Sequence, residues 1–306
     1  MKLLVTGGAG FIGSNFIKLI ISETNWEVIN LDKLTYAGNL ENLAEIKDNR
    51  RHCFVRGDIS DPEQVKRIFS QYKPAAVINF AAESHVDRSI QNAAPFITTN
   101  VLGTQVLLEA SRQYHVDKYV QVSTDEVYGS LEAGEGFFTE ETPLAPNSPY
   151  SASKASADLL CRAFHKTYRM PVVVTRCSNN FGPYQFPEKL IPLVITNALE
   201  GKPIPVYGDG LNVRDWIHVF DHCSALKLVI EKGRPGEVYN IGGGAQVTNL
   251  ELIKEILSIA GQHESLLNFV KDRPGHDRHY AIDPQKIKNE LGWNLLYDFR
   301  RGLTET

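Results

Sequence analysis

Cysteine is scarce and scattered. The four thiols, Cys53, Cys161, Cys177 and Cys223, include no pair at CxxC spacing, which argues against a zinc site or a disulfide framework and suits a reducing cytoplasm. Long apolar runs are missing too. No window approaches the ~18 apolar residues of a membrane span, and Met1-Lys2-Leu3-Leu4-Val5-Thr6 runs into glycines without the features of a signal peptide. Nor is there a run of Lys or Arg. The 32 basic and 36 acidic side chains give a formal charge of −4, so neither a nucleic-acid polymer nor an anionic membrane finds an electrostatic footprint. Internal repeats and low-complexity tracts are lacking. The remaining picture, 306 residues with 42% apolar and 22% charged, is a soluble, cytoplasmic, globular protein of one large domain or two ordinary ones.

What is present is a rhythm. Leu3-Leu4-Val5, Glu27-Val28-Ile29-Asn30-Leu31, Cys53-Phe54-Val55, Ala76-Val77-Ile78-Asn79-Phe80, Lys118-Tyr119-Val120-Gln121-Val122-Ser123 and Val172-Val173-Val174-Thr175-Arg176 read as six strands. Helical patterns fall between them at 11–21, after Asp61-Pro62-Glu63, from Pro95 towards Tyr114 and at 151–168. In the second, Asp61 is placed to cap, Pro62 suits the first turn, and Val65, Ile68 and Phe69 form the apolar stripe. Such alternation predicts an α/β fold with a Rossmann-type, doubly wound parallel sheet over residues 1–178. Prolines at 183, 187, 192, 203 and 205 then break the rhythm, predicting a smaller C-terminal α/β substrate domain over 179–306. Strand-like runs at 215–219 and 238–241 fit either sheet. The stretch 131–149, rich in Gly, Glu and Pro, reads as a long loop of the kind that covers sites.

The glycines Gly7, Gly10 and Gly13 stand at GxxGxxG spacing between the first strand and the first helix. A tight turn there brings backbone amides against a pyrophosphate, and the helix N-terminus adds about half a unit of positive charge. A side chain at Gly7 or Gly10 would block that approach, and one at Gly13 would hold helix and strand apart. Asp32 ends the second strand about 20 residues further on, where a carboxylate binds a ribose. Its charge favours NAD over NADP, although Lys33 stands beside it. Asp58, in Arg56-Gly57-Asp58-Ile59, reads either as a carboxylate for an adenine amino group or as an ordinary turn.

Tyr150-Ser151-Ala152-Ser153-Lys154 places Tyr150 and Lys154 one helical turn apart on the same face. A phenol titrates near ~10. An adjacent ammonium and the positive nicotinamide of NAD⁺ both favour phenolate, fitting Tyr150 to accept a hydroxyl proton while hydride leaves the same carbon. Thr124 supplies a hydroxyl at a neighbouring strand end, in Val122-Ser123-Thr124-Asp125-Glu126-Val127-Tyr128-Gly129. Adjacent side chains on a strand point to opposite faces, so Asp125 and Glu126 converge only where the strand turns; otherwise they form a solvated acidic turn. His218 and His222, four apart, lack an HExxH glutamate and read as structural, with no metal required.

The glycine pattern, Thr124 and the Tyr150/Lys154 pair resemble the extended short-chain dehydrogenase/reductase superfamily. Within it, Thr124-Asp125-Glu126, Ala81-Ala82-Glu83-Ser84-His85-Val86-Asp87-Arg88-Ser89, Arg214-Asp215-Trp216 and Asp272-Arg273-Pro274-Gly275-His276-Asp277 are similar to the dTDP-glucose 4,6-dehydratase family. The likeness runs through nearly the whole chain. It departs at residues 302–306, where members usually continue through a final helix; the chain is either clipped or naturally short. The expected consequence is for stability more than for chemistry.

The resemblance implies a hydro-lyase that converts dTDP-glucose to dTDP-4-keto-6-deoxyglucose and water, with NAD oxidising carbon 4 and returning its hydride to carbon 6. It implies the catalytic set Thr124, Asp125, Glu126, Tyr150 and Lys154, with Tyr150 the base at the carbon 4 hydroxyl, Glu126 the base at carbon 5 and protonated Asp125 the acid at carbon 6. Two carboxyls need opposite protonation, which differing environments provide. The implied cofactor set is Gly7, Gly10, Phe11, Ile12, Gly13, Asp32, Lys33, Thr35, Asp58, Ile59, Ala81, Ala82, Ser84, Thr99, Tyr150, Lys154 and Asn180. The implied substrate set is Ser84, His85, Thr124, Asn179, Lys189, Leu190, Pro205, Tyr207, Arg214, Asn249, Arg273 and His276. A homodimer paired through the helices at 94–114 and 151–168 is also implied. The rivals are a nucleotide-sugar 4-epimerase or a decarboxylase of UDP-glucuronate, which need no such acid and base. Epimerases typically lack the pair, and decarboxylases and GDP-mannose dehydratases usually carry Ser where Asp125 stands. A non-catalytic NAD sensor usually loses the tyrosine or lysine kept here.

Overall fold

The computed structural model describes residues 1–132, 136–272 and 274–306. The strands are β1 (Lys2–Thr6), β2 (Glu27–Asp32), β3 (His52–Arg56), β4 (Ala76–Asn79), β5 (Lys118–Thr124), β6 (Val172–Cys177), β7 (Asn179–Phe181), β8 (Ile204–Tyr207), β9 (Val213–His218), β10 (Val238–Ile241), β11 (Ala245–Thr248) and β12 (Leu267–Val270). Strands covered on both faces need continuous apolar runs rather than alternation, and β4 and β6 are buried along their whole length. They belong to a seven-stranded sheet, order β10-β6-β5-β4-β1-β2-β3, with every neighbouring pair parallel. Chain order reverses between β1 and β4, so a crevice opens at their C-terminal ends.

The helices Phe11–Glu23 and Val219–Lys232 pack on one face of this sheet with Trp293; Pro62–Tyr72, Gly103–Gln113 and Pro149–Tyr168 pack on the other. Local chemistry sets their starts. Asp61 accepts from the amides of Glu63 and Gln64, ahead of Pro62. Ser148 and Ser151 form a reciprocal capping box around Pro149, an arrangement worth ~1 kcal/mol.

The helix expected from Pro95 towards Tyr114 is divided into Ala94–Phe96, a π-helical turn Ile97–Leu102, and Gly103–Gln113. Asn100 turns inward from that middle segment: it accepts from the Glu83 amide at 2.9 Å and donates to the Glu83 carbonyl at 3.0 Å and to Ser153 Oγ at 2.8 Å. Local π geometry is a common way to aim side chains into a site, and here neighbouring Thr99 reaches the crevice.

The two undecided runs separate. β10 joins the large sheet beside β6, whereas β9 lies between β7 and β11 in a three-stranded sheet. β8 and β12 form a further parallel pair. The first crossing out of the large sheet falls between β6 and β7, at Ser178. The chain then returns, since Val219–Lys232, β10 and Gln285–Leu291 all pack on the large sheet side. Within 131–149, Phe138 bridges Ile282 and Ala145 donates to the Val127 carbonyl. The helix Phe299–Glu305 buries Leu303 in the core of the smaller region. No described helix is long and apolar enough to cross a membrane.

Candidate active site

β1 ends at Thr6 and the next residue, Gly7, takes φ +68°, which an L side chain adopts with strain. A Cβ on Gly7 would lie 2.6 Å from the amide nitrogen of Ala81, and one on Gly13 would lie 2.3 Å from the Gly7 carbonyl oxygen. Gly10 is looser, with its nearest atom at 3.3 Å. The helix Phe11–Glu23 begins at Gly10 with no side-chain cap and no acidic residue in its first turn. Its leading amides are therefore turned to the crevice without an internal competitor, the arrangement a pyrophosphate needs. Asp32 closes the loop: Oδ2 accepts from the Ala9 amide at 2.9 Å and Oδ1 from the Leu34 amide at 2.8 Å. Asp58 accepts from Ser60 in a turn, as one of its two expected arrangements has it, and it also lines the crevice, where Lys33 Nζ stands 2.6 Å from its Oδ2.

The crevice holds a cavity of about 330 Å³ that runs from these glycines to the C-terminal ends of β5 and β6, a volume suited to a bound cofactor or small ligand. All seventeen residues expected at the cofactor line it, and so do Thr124, Asp125, Glu126, Tyr150 and Lys154. The orientation problem at Asp125 and Glu126 is solved by the end of the strand. β5 stops at Thr124, whose Oγ1 accepts from the Glu126 amide and caps a 3₁₀ turn, Asp125–Tyr128. Both carboxyls thus reach one cavity instead of opposite faces.

The electrostatics divide those two acids. Asp125 is 2% exposed, and burial, reinforced by the charges of Glu126 and Asp215, holds its carboxyl well above the usual range. Thr124 Oγ1 donates to its Oδ1 at 3.2 Å, and Oδ2 is buried without a partner. Glu126 is only half-buried. Tyr150 is also buried, and its phenol is held well above 10 by burial and then by the Glu126 charge. Lys154 donates to the Val122 carbonyl at 2.7 Å, with its own pKa lowered by burial. Desolvation and the neighbouring acids therefore set the direction at the phenol, opposite to the lowering expected from Lys154 and a bound nicotinamide together. Behind the site, Arg176 pairs with Asp158 at 2.9 Å and donates to Tyr128, both charges being almost fully buried.

Of the expected substrate residues, Ser84, Thr124, Asn179 and Lys189 line the cavity; Lys189 donates to the Ser84 carbonyl at 3.0 Å. The cavity lining does not include His85, Leu190, Pro205, Tyr207, Arg214, Asn249 or His276. His85 sits 3.5 Å from Glu188 at the rim, and Leu190 packs into the smaller region's core. Pro205 and Tyr207 lie on β8, paired with β12. Arg214 is buried, donates to the Asp277 carbonyl at 2.9 Å and stacks over Tyr280. The Asn249 amide donates to the Asn212 carbonyl, and His276 Nδ1 lies 2.6 Å from Asp272. Arg273 lies outside the described residues. His218 caps the helix Val219–Lys232 and stacks on Tyr297, while His222 bonds Asn180.

Residues not anticipated include Tyr36, Cys177, Ser178, Gln185, Phe186 and Glu188, all on the lining. Glu188 accepts from Tyr36 at 3.0 Å and from Arg88 at 3.1 Å, fastening the 183–189 segment across the cofactor end. The sequence signal for it was the density of prolines and aromatics in Gly182-Pro183-Tyr184-Gln185-Phe186-Pro187-Glu188-Lys189.

Residues 4–306 match the family model described as GDP-mannose 4,6 dehydratase. A dTDP-glucose 4,6-dehydratase of Xanthomonas campestris pv. campestris is 55% identical over 322 aligned positions, covering 99% of this chain and 91% of the relative. The dTDP-glucose 4,6-dehydratase of Bacillus anthracis, solved in complex with NAD, superposes with a TM-score of 0.94 at 54% identity, covering 100% of this chain and 95% of that one. The Streptomyces venezuelae enzyme, solved with NAD and TYD bound, gives 0.97 at 51% identity with the same coverage. On sequence, fold and the carboxyl pair at the end of β5, the chain belongs to the dTDP-glucose 4,6-dehydratase family.

Proposed function

We propose that this chain converts dTDP-glucose to dTDP-4-keto-6-deoxyglucose and water, with NAD held in the crevice throughout the cycle. The observation that carries this reading is the pair of carboxyls on one 3₁₀ turn: Asp125, buried with a raised pKa, and Glu126, half-buried, both facing the cavity that holds Tyr150 and Lys154. The uncapped helix start and the glycine cradle fit a dinucleotide, and Asp32 beside them fits an unphosphorylated ribose. When bound, NAD takes hydride from carbon 4 of the sugar and later delivers it to carbon 6.

The chain's own groups move the protons. Tyr150, as phenolate, accepts the carbon 4 hydroxyl proton; burial and Glu126 oppose its ionisation, and the positive nicotinamide ring is the counterweight. The ketone at carbon 4 acidifies the hydrogen on carbon 5, which Glu126 removes and afterwards returns. Asp125 gives its proton to the hydroxyl leaving carbon 6, which departs as water. One cycle therefore leaves a proton on Tyr150 and takes one from Asp125. Thr124 donates to Asp125 and lines the same cavity as Tyr150, so the proton that resets the site has a short path.

Substrate contacts are assigned to Ser84, Thr124, Asn179 and Lys189 at the sugar and diphosphate end, with Arg214, Asn249, Tyr207 and His276, which lie outside the cavity lining, as further contacts. Two further points complete the reading. Ile97, Leu102 and Leu159 remain about half exposed on the helical layer outside the large sheet, which supports a homodimer through that layer, testable by sedimentation. All four cysteines are free, in keeping with a reducing cytoplasm.

The test offers dTDP-, UDP-, CDP- and GDP-hexoses and identifies the product by NMR. Deuterium at carbon 4 of dTDP-glucose is expected at carbon 6 of the product; an epimeric product or label lost to solvent would overturn the assignment. Glu126→Gln should abolish elimination while reduced cofactor still forms in a single turnover. Equal loss of both steps would remove Glu126 from the carbon 5 position.

A further inference from the structure

His222 lies on the helix Val219–Lys232, outside the cavity lining, and is fully buried. Its Nδ1 stands 2.8 Å from Oδ1 of Asn180. The carboxamide of Asn180 is oriented by its other end: Nδ2 donates to the Ser178 carbonyl at 3.0 Å. The atom facing His222 is therefore the oxygen, an acceptor, and the imidazole must present a proton at Nδ1. Burial lowers the ring's pKa to about 3, so the neutral ring carries one proton, and that proton is committed to Asn180. Nε2 is left buried without a hydrogen-bond partner, a desolvation cost that a purely apolar side chain would not incur. Packing alone does not call for an imidazole here.

Asn180 is the end of the chain of contacts that reaches the cavity. It lies three residues beyond Cys177, the partner of Thr124 in the β5–β6 register, and lines the cavity with Cys177 and Ser178. We propose that His222 is a positioning residue for the bound cofactor: through Nδ1–H it fixes the Asn180 carboxamide at the nicotinamide end of the crevice. The proposal rests on the reading that Asn180 contacts NAD. Its role suits a catalyst whose cofactor must stay seated between giving up and recovering a hydride.

The test compares NAD affinity by titration calorimetry in His222→Asn, His222→Gln, His222→Leu, Asn180→Ala and the double variant Asn180→Ala/His222→Leu, with melting temperatures measured alongside. Asn places its Nδ2 where the imidazole has Nδ1, whereas Gln places its amide one bond too far. His222→Asn is expected to retain affinity within about twofold, and His222→Gln, His222→Leu and Asn180→Ala each to lose about tenfold. The double variant should lose no more than Asn180→Ala alone, because the two side chains act as one unit. Equal affinities in the Asn and Gln variants would overturn the proposal, and this comparison stands even where the Leu variant fails to fold. Full affinity in His222→Leu with weakened Asn180→Ala would overturn it while leaving Asn180 at the cofactor. Full affinity in Asn180→Ala would overturn both readings.

Discussion

At the cofactor end of the crevice the decisive atoms belong to the backbone: Gly7 against Ala81, Gly13 against the Gly7 carbonyl, and the leading amides of the helix Phe11–Glu23. At the reaction end they belong to buried side chains, Tyr150, Lys154, Asp125 and Asp215, each displaced from its ordinary titration by desolvation. Binding a pyrophosphate asks for dipoles fixed in place, which glycine turns provide without ionisable groups. Moving protons asks for groups whose charge states change under the influence of substrate and cofactor, and burial is what makes them sensitive. The first design fails by steric blockage, the second by loss of a proton acceptor. Mutations at the two ends should therefore leave different kinetic traces.

The sharpest separation comes from Tyr150→Phe. Removing the phenolic oxygen takes away the acceptor for the carbon 4 proton, and the first hydride transfer should slow by about 10³-fold, within the ~10²–10⁴ that a positioned acid–base group contributes. NAD affinity should change less than about threefold, because the ring and its contact with Phe96 remain. Stopped-flow reduction of the cofactor together with a binding titration reads both. A variant with near-normal turnover, or one that loses cofactor affinity in step with rate, would erase the distinction between the two ends.

The opposite trace is expected from the glycines. Gly13→Ala places a methyl 2.3 Å from a backbone oxygen that has no side-chain freedom to retreat, whereas Gly10→Ala meets only the Gly7 carbonyl at 3.3 Å. NAD affinity should fall by about 100-fold in the first, which amounts to ~2.7 kcal/mol, and by no more than about fivefold in the second. With NAD at saturation, the rate of hydride transfer in Gly10→Ala should stay near wild type. Equal losses for the two alanines would mean that contact with the cofactor, and not the fit of helix against strand, sets the need for glycine.

These contrasts also explain what could be read from residues alone. The glycine spacing, Asp32 after β2 and the Tyr150–Lys154 turn are local patterns, and each occupies the position its spacing implied. The doubly wound sheet followed from apolar strands alternating with helical stripes. Long-range pairings carried no such signal: 215–219 and 238–241 have similar strand character, yet β9 and β10 enter different sheets. The π turn at Ile97–Leu102 arises from Asn100 bonding to Glu83 and Ser153, contacts across a fold that a helical period cannot encode. Glu188 reaches Tyr36 from 152 positions away along the chain. The expected action of Lys154 on Tyr150 considers a single pair, whereas the phenol is held up by desolvation and by Glu126 and Asp125, quantities of the whole site.

Asp215 provides the smallest and most diagnostic contrast, because its effect appears in stability. It is 1% exposed, beside the reaction end and not in the cofactor cradle, and burial pushes its carboxyl up to about 7 although the Ala245 amide donates to Oδ1 at 2.9 Å. In the unfolded chain the same carboxyl titrates near its ordinary 3.8. Between those values the unfolded state releases its proton and the folded state keeps one, so stability falls as pH rises from about 4 to about 7 and is level above that. Asp215→Asn keeps the Oδ1 acceptor and places an amide at Oδ2, which is buried without a hydrogen-bond partner. The variant should match wild type near pH 4 and exceed it by on the order of 2 kcal/mol at pH 7, less than the full linkage value because the site relaxes on ionisation. Urea unfolding across that interval measures the difference directly. A margin that does not grow with pH would show that Asp215 is already ionised in the folded chain across that interval, with its full negative charge standing beside Asp125 throughout.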